Sequence, residues 1–145
     1  MSDAAMDAAR PKVGVGIMII KDGKVLVAKR KGSHGAGEYG FVGGHVEYGE
    51  TLEEAALREI AEECGVQVKN MRVLCVADLL AYSPKHFVDI GFVADWAAGK
   101  PKIMEPDKFD SMEWVAIDNL PPKMFGPCHN YIEAYKTGKN YFTLR

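Results

Sequence analysis

The sequence predicts an α/β fold of the α+β kind, a mixed β-sheet flanked by helices. Three observations point there. Short runs rich in β-branched residues recur along the chain, two helical stretches interrupt them, and strands stand before, between and after those helices. The 145 residues suit one domain, and 48% hydrophobic with 26% charged residues is the balance of a folded chain, not of a disordered one. We read residues 1–11 as a polar, mobile leader ending at Pro11, and 12–145 as a single domain.

Val13 to Ile20 reads as the first strand. Asp22-Gly23 tolerates the positive φ of a tight turn, so Val25 to Lys29 pairs with that strand as a hairpin. Gly32 to Gly40 holds four glycines and reads as a loop, and Phe41-Val42 is a short apolar step into Gly43-Gly44. Thr51 to Cys64 is the clearest helix: Thr51 and Glu54 make a capping box, and Gly65 stops it. Arg72 to Leu80 and Phe87 to Ala94 read as strands around a turn at Ser83-Pro84-Lys85. Met112 to Ile117 is another strand, Pro121-Pro122 break the chain, and Asn130 to Thr137 is a last helix stopped by Gly138.

Several function classes are disfavoured. A net charge of −2 lacks the basic excess expected of a protein held to a nucleic-acid polymer. The longest apolar run, Val13 to Ile20, is eight residues with two glycines, against about 18 for a membrane span. The segment MSDAAMDAARPK lacks the apolar stretch of a signal peptide. Cys64, Cys75 and Cys128 are odd in number and not in CxxC spacing, so we expect reduced, buried thiols and a cytoplasmic protein.

The informative stretch runs from Gly44 to Glu50 and on from Thr51 to Val66. On the helix, Glu59, Glu62 and Glu63 fall within roughly a 100° arc beside a sector holding Ala56, Leu57, Ile60, Ala61 and Cys64, so the carboxylates border the expected buried stripe. Like charges at this spacing repel, more so near a low-dielectric wall. Either one carboxylate takes a proton or a hard divalent cation sits between them, and Mg²⁺ suits the second case because it prefers oxygen ligands and keeps positions open for phosphates. Arg58, four residues from both Glu54 and Glu62, can tie those two together. A glycine-bearing turn before a helix start can present backbone groups to a phosphate or metal. On the helix alone, a merely solvated acidic face remains the plainer alternative.

Gly44, five residues, Glu50, seven residues, then Arg58-Glu59-Ile60-Ala61-Glu62-Glu63-Cys64-Gly65-Val66 matches all nine specified positions of the Nudix hydrolase signature, GX5EX7REUXEEXGU with U aliphatic. The chain resembles that family from about Lys12 to about Leu120. It is similar in particular to the MutT-like branch, in Lys29-Arg30-Lys31-Gly32-Ser33, in Gly43 to Glu50, and in Glu105-Pro106-Asp107-Lys108 leading to Glu113-Trp114-Val115. One departure is Val42, where the family commonly has proline.

The resemblance implies an α/β/α sandwich and Mg²⁺-dependent hydrolysis of a nucleoside diphosphate linked to a group X. The favoured case is a nucleoside triphosphate or deoxynucleoside triphosphate cleaved to monophosphate and pyrophosphate; Mn²⁺ can stand in for Mg²⁺. It makes Glu59, Glu63 and Glu62 metal ligands, with the carbonyl of Gly43 joining them, and Glu50 and Arg58 supports for the glutamates. The base that activates water is Glu62 or Glu105. Lys29 and Arg30 would meet phosphates, and His45 would contact substrate unless it only caps a loop. Phe125, with Gly126, would wall a nucleobase unless it belongs to the core. The expected partner is a small nucleotide, and a homodimer is a family-level expectation. Other diphosphates (nucleotide sugar, dinucleotide, prenyl diphosphate) and a non-catalytic binding module are the alternatives.

Overall fold

The computed structural model describes residues 2–32 and 35–145; Ser33 lies outside them. Helix α1 is Asp3–Ala9, followed by strands β1 (Lys12–Lys21), β2 (Lys24–Arg30), β3 (Tyr39–Gly40) and β4 (Val42–His45). Helix α2 is Leu52–Glu63. Strands β5 (Gln67–Leu79), β6 (Phe87–Ala98) and β7 (Phe109–Ala116), helix α3 (Gly126–Thr137) and strand β8 (Tyr141–Leu144) complete the order.

Strand β1 explains why its sequence is apolar at nearly every position. Val15, Ile17 and Ile19 enter a core shared with Ala55, Ala56, Ile60 and Cys64 of α2. Met18, pointing the other way, enters a second core with Cys128, Tyr131 and Ala134 of α3. A strand covered on both faces reads as a continuous apolar run instead of an alternating one. The sheet runs β3-β2-β1-β6-β5-β8, with β4 also pairing with β1 and β7 with β2. β1 with β6 and β5 with β8 are parallel and the other ladders are antiparallel. The expected mixed sheet between helices is therefore the observed α/β/α sandwich.

The first hairpin is real but short. Asp22 and Gly23 take positive φ (50° and 75°), and β1 pairs with β2 only at Ile20–Val25 and Lys21–Lys24. Beyond that the strands splay. β1 takes β4 as its neighbour, from Gly14–His45 to Ile17–Val42, and β2 takes β7. The splay seats Gly43 and Gly44 against the middle of the sheet, directly beneath α2.

Gly16 and Gly91 are register partners across β1 and β6, and together they make room for the Tyr131 ring. A Cβ on Gly16 would lie 2.4 Å from the Tyr131 hydroxyl and 2.9 Å from Cζ. Because Tyr131 is 3% exposed and packed on all sides, it has no room to retreat. We expect Gly16→Ala to cost about 1–3 kcal/mol, the range for an overpacked core. Denaturant unfolding would show this as a lower midpoint at unchanged slope, and an unchanged midpoint would contradict the packing described.

The structure corrects several boundaries. The segment before Pro11, read from sequence as a mobile leader, contains helix α1. β5 begins at Gln67 instead of Arg72 and β6 runs on to Ala98 instead of ending at Ala94. Bulges in their ladder, with Asn70 at φ 53°, let polar Lys69 and Asn70 sit in an extended pair that hydropathy alone does not mark. α3 starts at Gly126, four residues early, since Pro127 occupies its first turn, where the missing N–H costs nothing. β8 is four residues long, too short for a pattern to show. No described helix is long and apolar enough to cross a membrane.

Candidate active site

Helix α2 is held at both ends as its sequence demands. The Thr51 hydroxyl accepts from the Glu54 N–H at 3.1 Å, and the Glu54 carboxylate accepts from the Thr51 N–H at 3.0 Å. At the other end Gly65 takes φ 71°, and its N–H donates to the Ile60 carbonyl at 2.9 Å.

The buried stripe of α2 differs from the expected one. Leu57 and Ala61 are exposed, whereas Glu59 and Glu63 lie inside the stripe, at 7% and 3% exposure. The cause is β4: two residues without side chains leave a trough into which the two carboxylates descend. A Cβ on Gly44 would lie 2.2 Å from Oε1 of Glu59. The Gly43 N–H donates to Oε1 of Glu63 at 2.7 Å. Glu62 stays on the exposed rim.

Arg58 organises the cluster, though not through Glu54, which is engaged in the cap. Its Nε and Nη2 donate to the two oxygens of Glu50 at 2.7 and 2.9 Å, a bidentate fork. Nη1 donates to Glu59 at 2.9 Å and to Glu62 at 3.3 Å, and Nη2 also donates to the His45 carbonyl at 2.8 Å. The Glu50 carboxylate accepts from the Glu47 N–H at 2.8 Å as well. One guanidinium thus binds loop, strand end and helix into a single unit. Its hydrogen bonds hold the Glu50 carboxyl below its ordinary range.

Burial pushes the Glu63 carboxyl up to about 8, with the Glu59 and Glu105 charges adding to the rise and the Gly43 N–H opposing it. Burial raises Glu59 too, against the pull of Arg58. Glu105 comes from the segment before β7, which is tied to the end of α2: the Lys102 and Met104 N–H groups donate to the carbonyls of Cys64 and Glu63 at 3.1 and 3.3 Å. One Glu105 oxygen lies 3.2 Å from the Lys108 ammonium; the other, Oε1, is buried without a hydrogen-bond partner among the described residues.

Two connected hollows meet at these residues. A polar cleft of about 680 Å³ is walled by Glu59, Glu62, Glu63, Arg58, Lys31 and Lys108. A cavity of about 180 Å³ runs from Gly43, Gly44 and Glu63 toward α3, between Phe41, Tyr82, Phe87 and Phe125, with Asp89 and Tyr131 in its wall. Arg30 and His45 border both.

Among the described residues no three carboxylate, imidazole or thiol groups converge as a preformed metal shell. The donor chemistry still fits a hard divalent cation. Two buried carboxylates face each other's charge, the Arg58 guanidinium bonding only Glu59 of the pair, and a third, Glu105, has a buried oxygen without a hydrogen-bond partner among the described residues. Glu59 and Glu63, with Glu62 at the rim, are the residues that would hold it.

Of the residues singled out from sequence, Glu59, Glu62, Glu63, Arg58, Glu50, Gly43, Arg30 and His45 gather here. Glu105 lines neither hollow, but its charge acts on Glu63 from beside the cluster. Phe125 lines the apolar cavity, with the Arg30 guanidinium 4.3 Å from its ring centre and Tyr82 stacked on it at 5.7 Å. The His45 ring stacks on Phe87 at 5.3 Å; burial, then Lys12, Lys85 and Lys108, lower its pKa. Lys29 borders neither hollow, and Lys31 faces the cleft instead. Sequence reasoning missed Lys108, Asp89, Tyr82 and Tyr131. Asp89 had a signal, a lone charge inside an apolar strand; the two tyrosines had none.

A family model described as the NUDIX domain matches residues 10–135. An ADP-ribose pyrophosphatase of Methanocaldococcus jannaschii is 37% identical over 131 residues, covering 90% of this chain and 76% of that protein. The NAD-capped RNA hydrolase NudC of Edwardsiella ictaluri is 38% identical over 105 residues, 72% of this chain but only 39% of that longer protein. Among solved structures, a MutT NUDIX hydrolase from Burkholderia pseudomallei superimposes with a TM-score of 0.82 at 35% identity, covering 86% of this chain and 98% of that one.

Proposed function

This chain belongs to the NUDIX domain family and is a Nudix hydrolase acting on a diphosphate substrate; from that premise we propose that the substrate is a nucleoside triphosphate, cleaved to the monophosphate and pyrophosphate. What carries the reading is the pairing of one aromatic cavity with one polar cleft that bears both acidic and basic groups. The cavity takes a single ring system, and Arg30, Lys31 and Lys108 offer the cleft's phosphate chain three cations. A local cluster of this kind binds a small anion even though the chain as a whole is slightly acidic.

Nudix hydrolases generally use a divalent metal, usually Mg²⁺. Glu59 and Glu63 would hold it, and its charge would neutralise phosphate oxygens and lower the pKa of a water. The chain's own residues do the rest. Arg58 keeps Glu59 and Glu62 oriented toward the cleft, and Gly43 aligns Glu63 through its N–H. The proton of the attacking water passes to a carboxylate, Glu62 or Glu105. Glu62 lines the cleft but is engaged by Arg58, whereas Glu105 lines neither hollow but has in Oε1 an oxygen without a partner among the described residues. The Arg30, Lys31 and Lys108 side chains hold the departing phosphates.

A second reading, hydrolysis of ADP-ribose, is favoured by the name of the archaeal relative. Chromatographic quantitation of products with Mg²⁺ over the ribo- and deoxynucleoside triphosphates, ADP-ribose and nucleotide sugars separates the two: a triphosphate yields a monophosphate and pyrophosphate, and ADP-ribose yields AMP and ribose 5-phosphate. We expect a triphosphate to give the highest kcat/KM, and an ADP-ribose value above every triphosphate would overturn the first reading. Excess chelator should stop turnover altogether, and full activity in chelator would remove the role given to Glu59 and Glu63.

A further inference from the structure

Strand β6 turns Val88, Ile90 and Phe92 toward α2 and Phe87, Gly91 and Val93 toward α3. Asp89 stands on the α3 side, where its neighbours are apolar, and it forms part of the cavity wall. Its Oδ2 accepts the Tyr131 hydroxyl at 2.7 Å. Its Oδ1 accepts no hydrogen bond among the described residues and lies over Gly14, 3.4 Å from where a Cβ would stand. Burial pushes this carboxyl up to about 6, with the Tyr131 hydroxyl opposing the rise.

A carboxylate in such a wall is costly to the fold, and a leucine or asparagine would pack there at less expense. Tyr131 satisfies one oxygen only. Each carboxylate oxygen has two lone-pair positions, so Oδ1 and the remaining site on Oδ2 together present a flat pair of acceptors to the cavity. The Phe87, Phe125 and Tyr82 rings supply apolar faces beside that acceptor pair. Flat walls select a planar ring, and paired acceptors select an edge bearing two adjacent donors.

We propose that Asp89, set by Tyr131, is the specificity-determining residue of this cavity and selects a guanine-type base, one with a ring N–H beside an exocyclic amino group. This rests on the reading that the cavity houses the base of the hydrolysed nucleotide. A base with the ring N–H but no amino group, as in inosine nucleotides, leaves half of the acceptor pair unmatched. A base with an acceptor at that edge meets the carboxylate with like polarity.

The test compares GTP with ITP in hydrolysis, and GMP with IMP in direct binding with chelator present, for the wild type and for Asp89→Asn. The Tyr131 hydroxyl can still donate to the asparagine oxygen, and thermal unfolding monitors the fold of the variant. We expect the wild type to favour the guanine member by about 10- to 100-fold in both assays, the range for hydrogen bonds to a charged group. In Asp89→Asn both ratios should fall to one or below. Equal use of GTP and ITP by a hydrolytically active wild type would overturn the Asp89 assignment and leave the hydrolase reading intact, as would a ratio untouched in the variant. Discrimination of GMP from IMP without turnover of any triphosphate would support the assignment while overturning the triphosphate reading. Faster turnover of ADP-ribose than GTP, without a GMP preference, would also overturn the assignment.

Discussion

Glu63→Gln should lower kcat by roughly 10³-fold or more while the protein stays folded, because it removes a charge from the place where a cation and a phosphoanhydride must be brought together. The structure makes the substitution gentle. The glutamine carbonyl can accept the Gly43 N–H that now donates to Oε1 at 2.7 Å, and the side-chain volume hardly changes. Stability should respond in the opposite direction to activity. The Glu63 carboxyl titrates at about 8 in the fold against 4.5 ordinarily, so between those values the folded chain holds a proton that the unfolded chain has released. That stabilisation is complete below the lower value and is lost as pH rises through the upper one. In chelator, the Tm of the wild type should therefore fall more between about pH 5 and pH 8 than that of Glu63→Gln, which has no such proton to lose. Thermal scans across pH with parallel kinetics check both halves. Unchanged turnover in the variant would remove Glu63 from the site.

Gly44→Ala should separate activity from folding more cleanly still. The added Cβ would sit 2.2 Å from Oε1 and 2.3 Å from Cδ of Glu59. The obstacle is the far end of a long side chain, not backbone, so Glu59 swings aside at little cost to the fold. In moving, it surrenders its 2.9 Å hydrogen bond to Arg58 and its place beside Glu63. Since misplacing a reacting group by about 1 Å can cost about 10²-fold, we expect kcat/KM to fall by about that factor with Tm shifted by a few degrees at most. Steady-state kinetics beside a thermal scan decide it. Wild-type kinetics in this variant would show that the trough in β4 does not serve the carboxylates.

The two variants address one feature that sequence periodicity describes only halfway. From residue spacing alone, Glu59, Glu62 and Glu63 stand beside an apolar stripe, and both a solvated acidic face and a cation site remain open. The Gly43-Gly44 pair indicates close approach, but not of what to what. Packing answers this: β4 docks on β1 from Gly14–His45 to Ile17–Val42, the glycines lie under α2, and the carboxylates sink into the space that two missing side chains leave. The same step decides that Leu57 and Ala61 face solvent, since the helix rolls its glutamates inward.

What the chain determines by itself is local chemistry. The capping box at Thr51 and Glu54, the Asp22-Gly23 turn, and the glycine stops at Gly65 and Gly138 follow from steric and hydrogen-bonding demands within a few residues, and each stands where those demands place it. The spacing from Gly44 to Val66 likewise marks the helix that carries the carboxylate cluster, because one helical turn brings residues three and four apart to the same side. Tertiary structure alone decides what distant segments share. It sets Glu105 beside Glu63 across some forty residues, joins Arg30 to Phe125, and places Asp89 with Tyr131 at one end of an aromatic cavity. Such pairings depend on sheet order and helix placement, which are long-range consequences of burying two cores at once, and no window of sequence contains them.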